Sequence, residues 1–455
     1  GSSGESTITS DHKVLGLALS HAVNQRPQLS NIKSGANLDL SSTDDLKILG
    51  ARIEAAKHLN VKATKALVID SALERNDFSS LSALHTFHFG TRETQPAQDG
   101  KSGSHQWEFY GGYRAPVTIK EIVQYKQHPS ELAAASLSLR SDTHLRARGA
   151  KLNARAGDLS LQGNKISLTA AEDTRSFSSR LDELGEGVAL SVGVERVGFA
   201  LEALQSTETS KSENSKVQRS ELLATGNVAI NSDNDLINEA SRVDAGKHLK
   251  IHAGHIVNRA VSNELKLAAD SNHWRGSLGA SLEYHGLTKP IVDTVEGKHA
   301  DRFQQDSIVD AFSPPSLGID ATWRSRDRQE NWTKEYVQVG QLSGASVEVK
   351  AAVIDDQGTT WQARTGLLEI NAKQHNMLAA HDTSSHTVHN LSAAIDTRVD
   401  TTTGKDVGVR LNGRGGTLDT VENTSKAVVG SLQGQGINIR LSGGGVYQGS
   451  QINAG

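Results

Sequence analysis

The 455-residue sequence has no cysteine and a single methionine. That removes disulfides, thiolate zinc sites and cysteine nucleophiles together, and it suits a long chain that must cross an oxidising compartment unfolded without cross-linking. An excess of one charge is missing too: 48 basic residues face 52 acidic ones, a formal net of −4, so there is no basic field of the kind DNA or RNA binding needs. No run of about 20 apolar residues occurs, so no membrane-spanning helix is expected. No signal peptide is recognisable at the start, and the opening GSSG reads as a cloning scar. Aromatic residues make up only 4% of the chain.

What is present is a short frame: a small residue, two variable positions, then apolar, polar, apolar. It reads GANLDL from Gly35, AKHLNV from Ala56, AASLSL from Ala134, AGDLSL from Ala156, TGNVAI from Thr225, GKHLKI from Gly246, GASVEV from Gly344, TGLLEI from Thr365 and GQGINI from Gly434. Leu38 and Leu59, Val228 and Leu249, and Val347 and Leu368 stand 21 residues apart, and Leu137 and Leu159 stand 22 apart. Between the members of each pair lies a second strand pattern, LKILGARIEA from Leu46, LRARGAKLNA from Leu145, LINEASRVDA from Leu236 and IDDQGTTWQA from Ile354. Fixed spacing with apolar residues in matched positions marks a solenoid. A unit of about 21 residues with three short strands and small or turn-forming corners predicts an all-β fold, a parallel β-helix whose coils stack at about 4.8 Å.

The coil pairs recur from near Leu38, Leu137, Val228, Val347 and Ile437, so one elongated repeat region over 1–455 is expected, interrupted by insertions at approximately 70–136, 171–224, 262–343 and 373–433. Stretches such as GVALSVGVERVGFAL and GSLGASLEYHG alternate apolar and polar residues. They predict β-hairpins that extend a sheet off the side of the helix. The end, GSQINAG from Gly449, matches the middle of a coil and stops before the next strand, so the chain reads as a fragment of a longer solenoid.

These xLxL coils, the TGNVAI and AGDLSL frames and the hundred-residue unit resemble the haemagglutinin repeats of filamentous haemagglutinin-like, two-partner-secretion exoproteins. The punctuating insertions look more like the second, distal repeat region of contact-dependent growth inhibition proteins, which deliver toxins, than like an uninterrupted shaft. The resemblance implies secretion through an outer-membrane transporter and display on the bacterial cell surface. It also implies engagement of a receptor, glycan or outer membrane on a target cell, for adhesion or for delivery of a C-terminal toxin.

Parallel β-helices also carry polysaccharide lyases and hydrolases, so the alternative function is polysaccharide binding or cleavage. Such chemistry needs carboxylates close together on neighbouring coils. Asp355 and Asp356 are adjacent, as are Asp44 and Asp45. A 21-residue step puts Lys334 or Glu335 and Asn376 or Met377 beside the first pair, and Lys65 and Ala66 beside the second. No carboxylate ladder results, both pairs read as turn residues, and a non-catalytic chain is expected.

Histidines are read the same way. In DAGKHLKIHAGH, a strand puts His248, Lys250 and His252 on one face with the two histidines about 13 Å apart, too far for one metal, and His255 falls past a Gly254 turn. His381, His386 and His389 read as a solvated loop, and no metal or other cofactor is expected.

All eight Phe, four of five Trp and five of six Tyr lie in the insertions, leaving Trp361 and Tyr447 to the coils. The expected binding surface, if there is one, comprises Trp107, Tyr110, Tyr113, Trp274, Tyr284, Trp323, Trp332 and Tyr336. Exposed Trp and Tyr present apolar faces at low entropic cost. Arg324, Arg326 and Arg328 share one face of an extended strand and suit either an anionic glycan or a charged face that blocks edge pairing. The bland alternative for the rings is a set of small satellite cores between each hairpin and the coil stack.

Overall fold

The computed structural model describes residues 7–94, 106–193, 196–283, 315–402 and 406–455. The GSSG start and Tyr284 therefore lie outside the described residues. Within these bounds the secondary structure is entirely strand.

Two consecutive coils show how the repeat folds. Asn31–Ser34, Leu38–Ser42 and Leu46–Leu49 make one turn, and Arg52–Ala55, His58–Ala63 and Leu67–Asp70 make the next. Parallel pairing matches Ile32 to Ile53, Leu38 to Leu59 and Leu46 to Leu67, which is the 21-residue step seen on all three sides of the coil. Side chains alternate along each strand, so His58–Ala63 buries Leu59, Val61 and Ala63 and exposes His58, Asn60 and Lys62. The buried set stacks into apolar ladders running from Ile48 to Leu432. The exposed set forms polar ladders, with Asn60 donating to Asp39 at 2.6 Å and Lys65 paired with Asp44 at 2.8 Å. A parallel β-helix is the fold, carried by a ten-stranded and a fourteen-stranded parallel sheet.

After every second coil the chain leaves the stack. It builds the hairpins Ala72–Thr94 with Gln106–His128, Ala171–Gly193 with Arg196–Gln218, Val261–Glu283 with Ser316–Gln338, and Ala380–Thr401 with Gly408–Val428. Together with Thr7–Gln25 these strands form one continuous nine-stranded antiparallel sheet. A 23-residue strand such as Ala72–Thr94 is about 75 Å long at about 3.3 Å per residue. Glu131–Ala134, Glu221–Ala224 and Gln341–Gly344 belong to the ten-stranded sheet and not to the hairpins. Gly254 lies at a coil corner inside one hydrogen-bonded segment from His248 to Arg259: the residues before it pair with Val228–Ser232 and those after it with Asp235–Glu239, two successive sides of the preceding coil.

One corner of the coil demands a left-handed backbone. Gly50, Gly149, Gly358 and Gly449 occupy it at φ between 55° and 64°, and Ala240 takes the same corner at φ 51°. A Cβ on Gly149 would sit 2.7 Å from the Cβ of Ala171, the first residue of a long strand. Gly149→Ala combines left-handed strain with overpacking and should cost roughly 3 kcal/mol. The check is the denaturation midpoint, and an unshifted midpoint would mean the corner is looser than described.

Candidate functional site

The long strands pack on one another and, away from the junctions, not on the coil stack. The rings in the insertions therefore do not form satellite cores against the coils. Because side chains alternate, the antiparallel sheet has two faces, and register decides which residues share one.

On the first face, Phe109, Leu190, Phe199, Ala280, Ile319, Val399 and Val409 lie opposite one another across seven strands. The adjacent row toward the coils holds Phe89, Gly111, Val188, Leu201, Leu278, Ala321, Thr397 and Leu411. Five such rows, numbered on one strand by Trp274, Gly276, Leu278, Ala280 and Leu282, make an apolar band in the distal half of the hairpins. Its side chains are open to solvent: Leu190 is 46% exposed, Phe199 48% and Ile319 59%. Closer to the coils the same face turns polar, with Asp182, Thr207, Asn272 and Asp327 in one row.

The second face is different at the same height. Gly112, Gly187, Glu202, Ser277, Thr322, Asp396 and Asn412 share a row. Some charges on this face are paired, Arg114 with Glu183 at 3.3 Å and Arg275 with Glu202 at 2.6 Å. A larger network surrounds Arg398, which is only 7% exposed. Its Nη1 lies 2.9 Å from Glu283 and 3.1 Å from Asp320, its Nε donates to Asp400 at 3.2 Å, and Arg196 reaches Asp320 at 2.7 Å. Burial works to raise the Asp400 pKa, but the bonds from Arg398 and Arg410 hold it below the ordinary carboxylate value.

Register sorts the expected surface residues. Trp107, Tyr113, Trp274 and Trp323 belong to the apolar face, whereas Tyr110, Arg324, Arg326, Arg328, Trp332 and Tyr336 belong to the other. The three arginines are exposed and aligned, and Arg328 pairs with Glu330 at 2.8 Å. The larger apolar residues of the band were not singled out from sequence, although GVALSVGVERVGFAL carries six of them, from Val188 to Leu201.

Several readings of the polar clusters need correction. His381, His386 and His389 are not in a loop but on the strand Ala380–Thr401, where His386 lies 2.9 Å from Glu330 and His389 contacts Asp419. Asp355 and Asp356 stack on Val257 and Asn258 on one side, because a hairpin separates the coils in sequence, and on Asn376 and Met377 on the other. Asp356 is not a turn residue. It is buried, accepts from Trp361 Nε1 at 2.8 Å and Asn258 Nδ2 at 2.5 Å, and lies 2.9 Å from His375 Nε2. The Tyr447 hydroxyl is 3.0 Å from the other ring nitrogen of His375. Burial tends to raise the Asp355 pKa, yet hydrogen bonds from Asn376 and His255 bring it below the ordinary value. Both aspartates are thus committed to structural partners. His248 and His252 point outward on either side of Lys250, and among the described residues no three ligating groups converge.

The "Hemagglutinin repeat" family model matches residues 19–106, 119–273 and 323–455. The chain belongs to the hemagglutinin-repeat family. It is similar to a hemolysin of Serratia marcescens, at 25% identity over 444 residues covering 95% of this chain and 27% of that protein. It is also similar to a hemolysin of Proteus mirabilis, at 21% identity over 448 residues covering 93% of this chain and 28% of that protein. The chain thus spans little more than a quarter of the length of the curated relatives it matches. No solved structure matches it. Membership places this repeat chain in a secreted protein associated with the bacterial cell surface.

The two kinds of arginine on the polar face should respond differently to truncation. Arg398→Ala strands Glu283 and Asp320 beside each other and should cost roughly 3 kcal/mol. Arg326→Ala at an exposed position should stay within about 0.5 kcal/mol. Equal melting temperatures for the two variants would show that the network holds nothing together.

Proposed function

We propose that this chain engages the membrane of a target cell on behalf of a secreted surface filament, in adhesion or in delivery of a C-terminal toxin. The coil stack serves as the non-catalytic shaft and the apolar band as the surface laid into lipid. The carrying observation is the band itself. Its five rows run over nine residues of each strand, from Trp274 to Leu282 on one of them, and a β-strand needs about nine to eleven residues to cross a hydrocarbon core. Apolar residues on one face and polar residues on the other is the pattern of β-barrel sheets that contact lipid. Aromatic residues border it, with Trp107 in the row nearest the hairpin ends and Tyr113, Trp274 and Trp323 in the two rows nearest the coils, as aromatic belts do at membrane interfaces. The name hemolysin carried by both relatives is consistent with action on a membrane. Export through an outer-membrane transporter belongs to the same proposal.

Flotation of the purified chain with lipid vesicles tests it. The native chain should float, and Leu190→Asp with Phe199→Asp should weaken vesicle binding at least about tenfold, because two charges enter the lipid face. Both positions are exposed, so the melting temperature should be kept. A native chain that stays at the bottom of the gradient, or a double variant that floats as well as the parent, rules the membrane reading out.

A further inference from the structure

On the polar face, arginines without partners gather near the last strand of the sheet. Arg324, Ala394 and Arg414 share one row, and Arg326, Ser392 and Gly416 share the next row toward the coils. Arg324 and Arg414 stand on strands two spacings apart, about 10 Å, and the residue between them is the buried Ala394. The two arginines line one groove of about 430 Å³ together with Ala394, Ser392 and Gly416. A Cβ on Gly416 would meet nothing within 4 Å, so the groove is open on that side. Arg324, Arg326 and Arg414 are exposed and have no hydrogen-bond or ion-pair partner among the described residues. Their neighbours differ: Arg275 is held by Glu202, Arg328 by Glu330 and Arg410 by Asp400. In these two rows and the next toward the hairpin ends, the three strands carry one carboxylate, Asp396. It cannot neutralise three guanidiniums.

The excess charge calls for an anion, and the count of charges and acceptors selects which. A carboxylate has one charge and two oxygens, which a single guanidinium satisfies bidentately. That would leave the opposite wall of the groove unserved. A phosphomonoester carries about −1.5 to −2 at pH 7 and three acceptor oxygens, so both walls can share it. A sulfate ester matches the oxygens but has a single charge. Apart from the arginine stems, no apolar side chain larger than alanine lines the groove, so acyl chains would find little surface to bury against. The Ser392 hydroxyl and the space beyond one phosphate suit the hydroxyl-bearing ring of a sugar.

We propose that the groove between Arg324 and Arg414 binds a phosphomonoester carried on a sugar, as in a phosphorylated glycan of a target surface. The site lies on the face opposite the apolar band and does not depend on lipid contact. Titration calorimetry of the purified chain with glucose 6-phosphate tests it. Binding should saturate, and glucose 6-sulfate should bind at least about threefold more weakly, since its charge is smaller. Arg324→Gln and Arg414→Gln should each weaken glucose 6-phosphate at least about tenfold, the scale of a hydrogen bond to a charged group. Both positions are exposed, so the melting temperature should be kept. Arg328→Gln removes the same charge from the same strand and should leave binding intact, because Glu330 already holds that arginine. Asp396→Asn removes a repelling carboxylate and should tighten binding about twofold or more. No saturable heat, equal affinity for the sulfate ester, or a loss in Arg328→Gln as large as in Arg324→Gln overturns the site. Phosphatidic acid vesicles that bind through Arg324 and Arg414 while glucose 6-phosphate does not would overturn the sugar assignment. Flotation of the Leu190→Asp, Phe199→Asp chain reads the other face, so either proposal can fail without the other.

Discussion

The strand-to-strand hydrogen-bond spacing of about 4.8 Å is the constraint on which the architecture depends. Each coil adds one such step along the axis, and each hairpin adds two strands to the antiparallel sheet. A hairpin after every second coil therefore keeps the sheet and the stack growing at one rate, so that Gln106–His128 of one hairpin reaches Ala171–Gly193 of the next and pairs with it. One hairpin per coil would crowd the sheet and one per three would leave gaps in its ladder. The alternation of coil pair and insertion along the sequence follows from that match.

The two bodies solve the burial problem differently. A coil closes on itself, so the inward half of every strand meets other inward halves and the apolar ladders leave water without help. The hairpin sheet is a single layer. Its polar face carries rows of small residues, paired charges and exposed arginines that water can solvate, but its apolar face has no partner layer. Contiguous exposed apolar surface on this scale marks an interaction site, and the abrupt change from Gly276 to Asn272 along one strand confines it to the distal half.

The coils were legible because their signal is local. A two-residue period inside a strand and a 21-residue step between strands both lie on the page, and the matched apolar positions they mark, Leu59, Leu249 and Leu368, are the ones the coils bury. The hairpin faces were not, because each strand contributes only a few residues to the band and the faces emerge when eight strands from separate insertions are aligned. Trp323 and Trp332 show the difficulty: nine residues apart on one strand, they have opposite parity and cannot share a face. Asp356 shows another. A 21-residue step upstream falls in a hairpin, so its true neighbour Asn258 is 98 residues away, and an aspartate beside a glycine corner looks like a turn although it organises a buried ladder.

Aromatic placement links these points. A coil interior two or three side chains wide accepts an indole only where a strand supplies a polar partner, as Asp356 does for Trp361. Elsewhere the rings go to the hairpins, which set no limit on side-chain height. Strand length then determines where they act. The band begins thirteen residues beyond the first residue of the strand at Val261, about 45 Å out at about 3.3 Å per residue. The polar proximal half of the sheet spans that distance, so on the membrane reading proposed above, lipid contact at the hairpin ends would leave the coil stack in water.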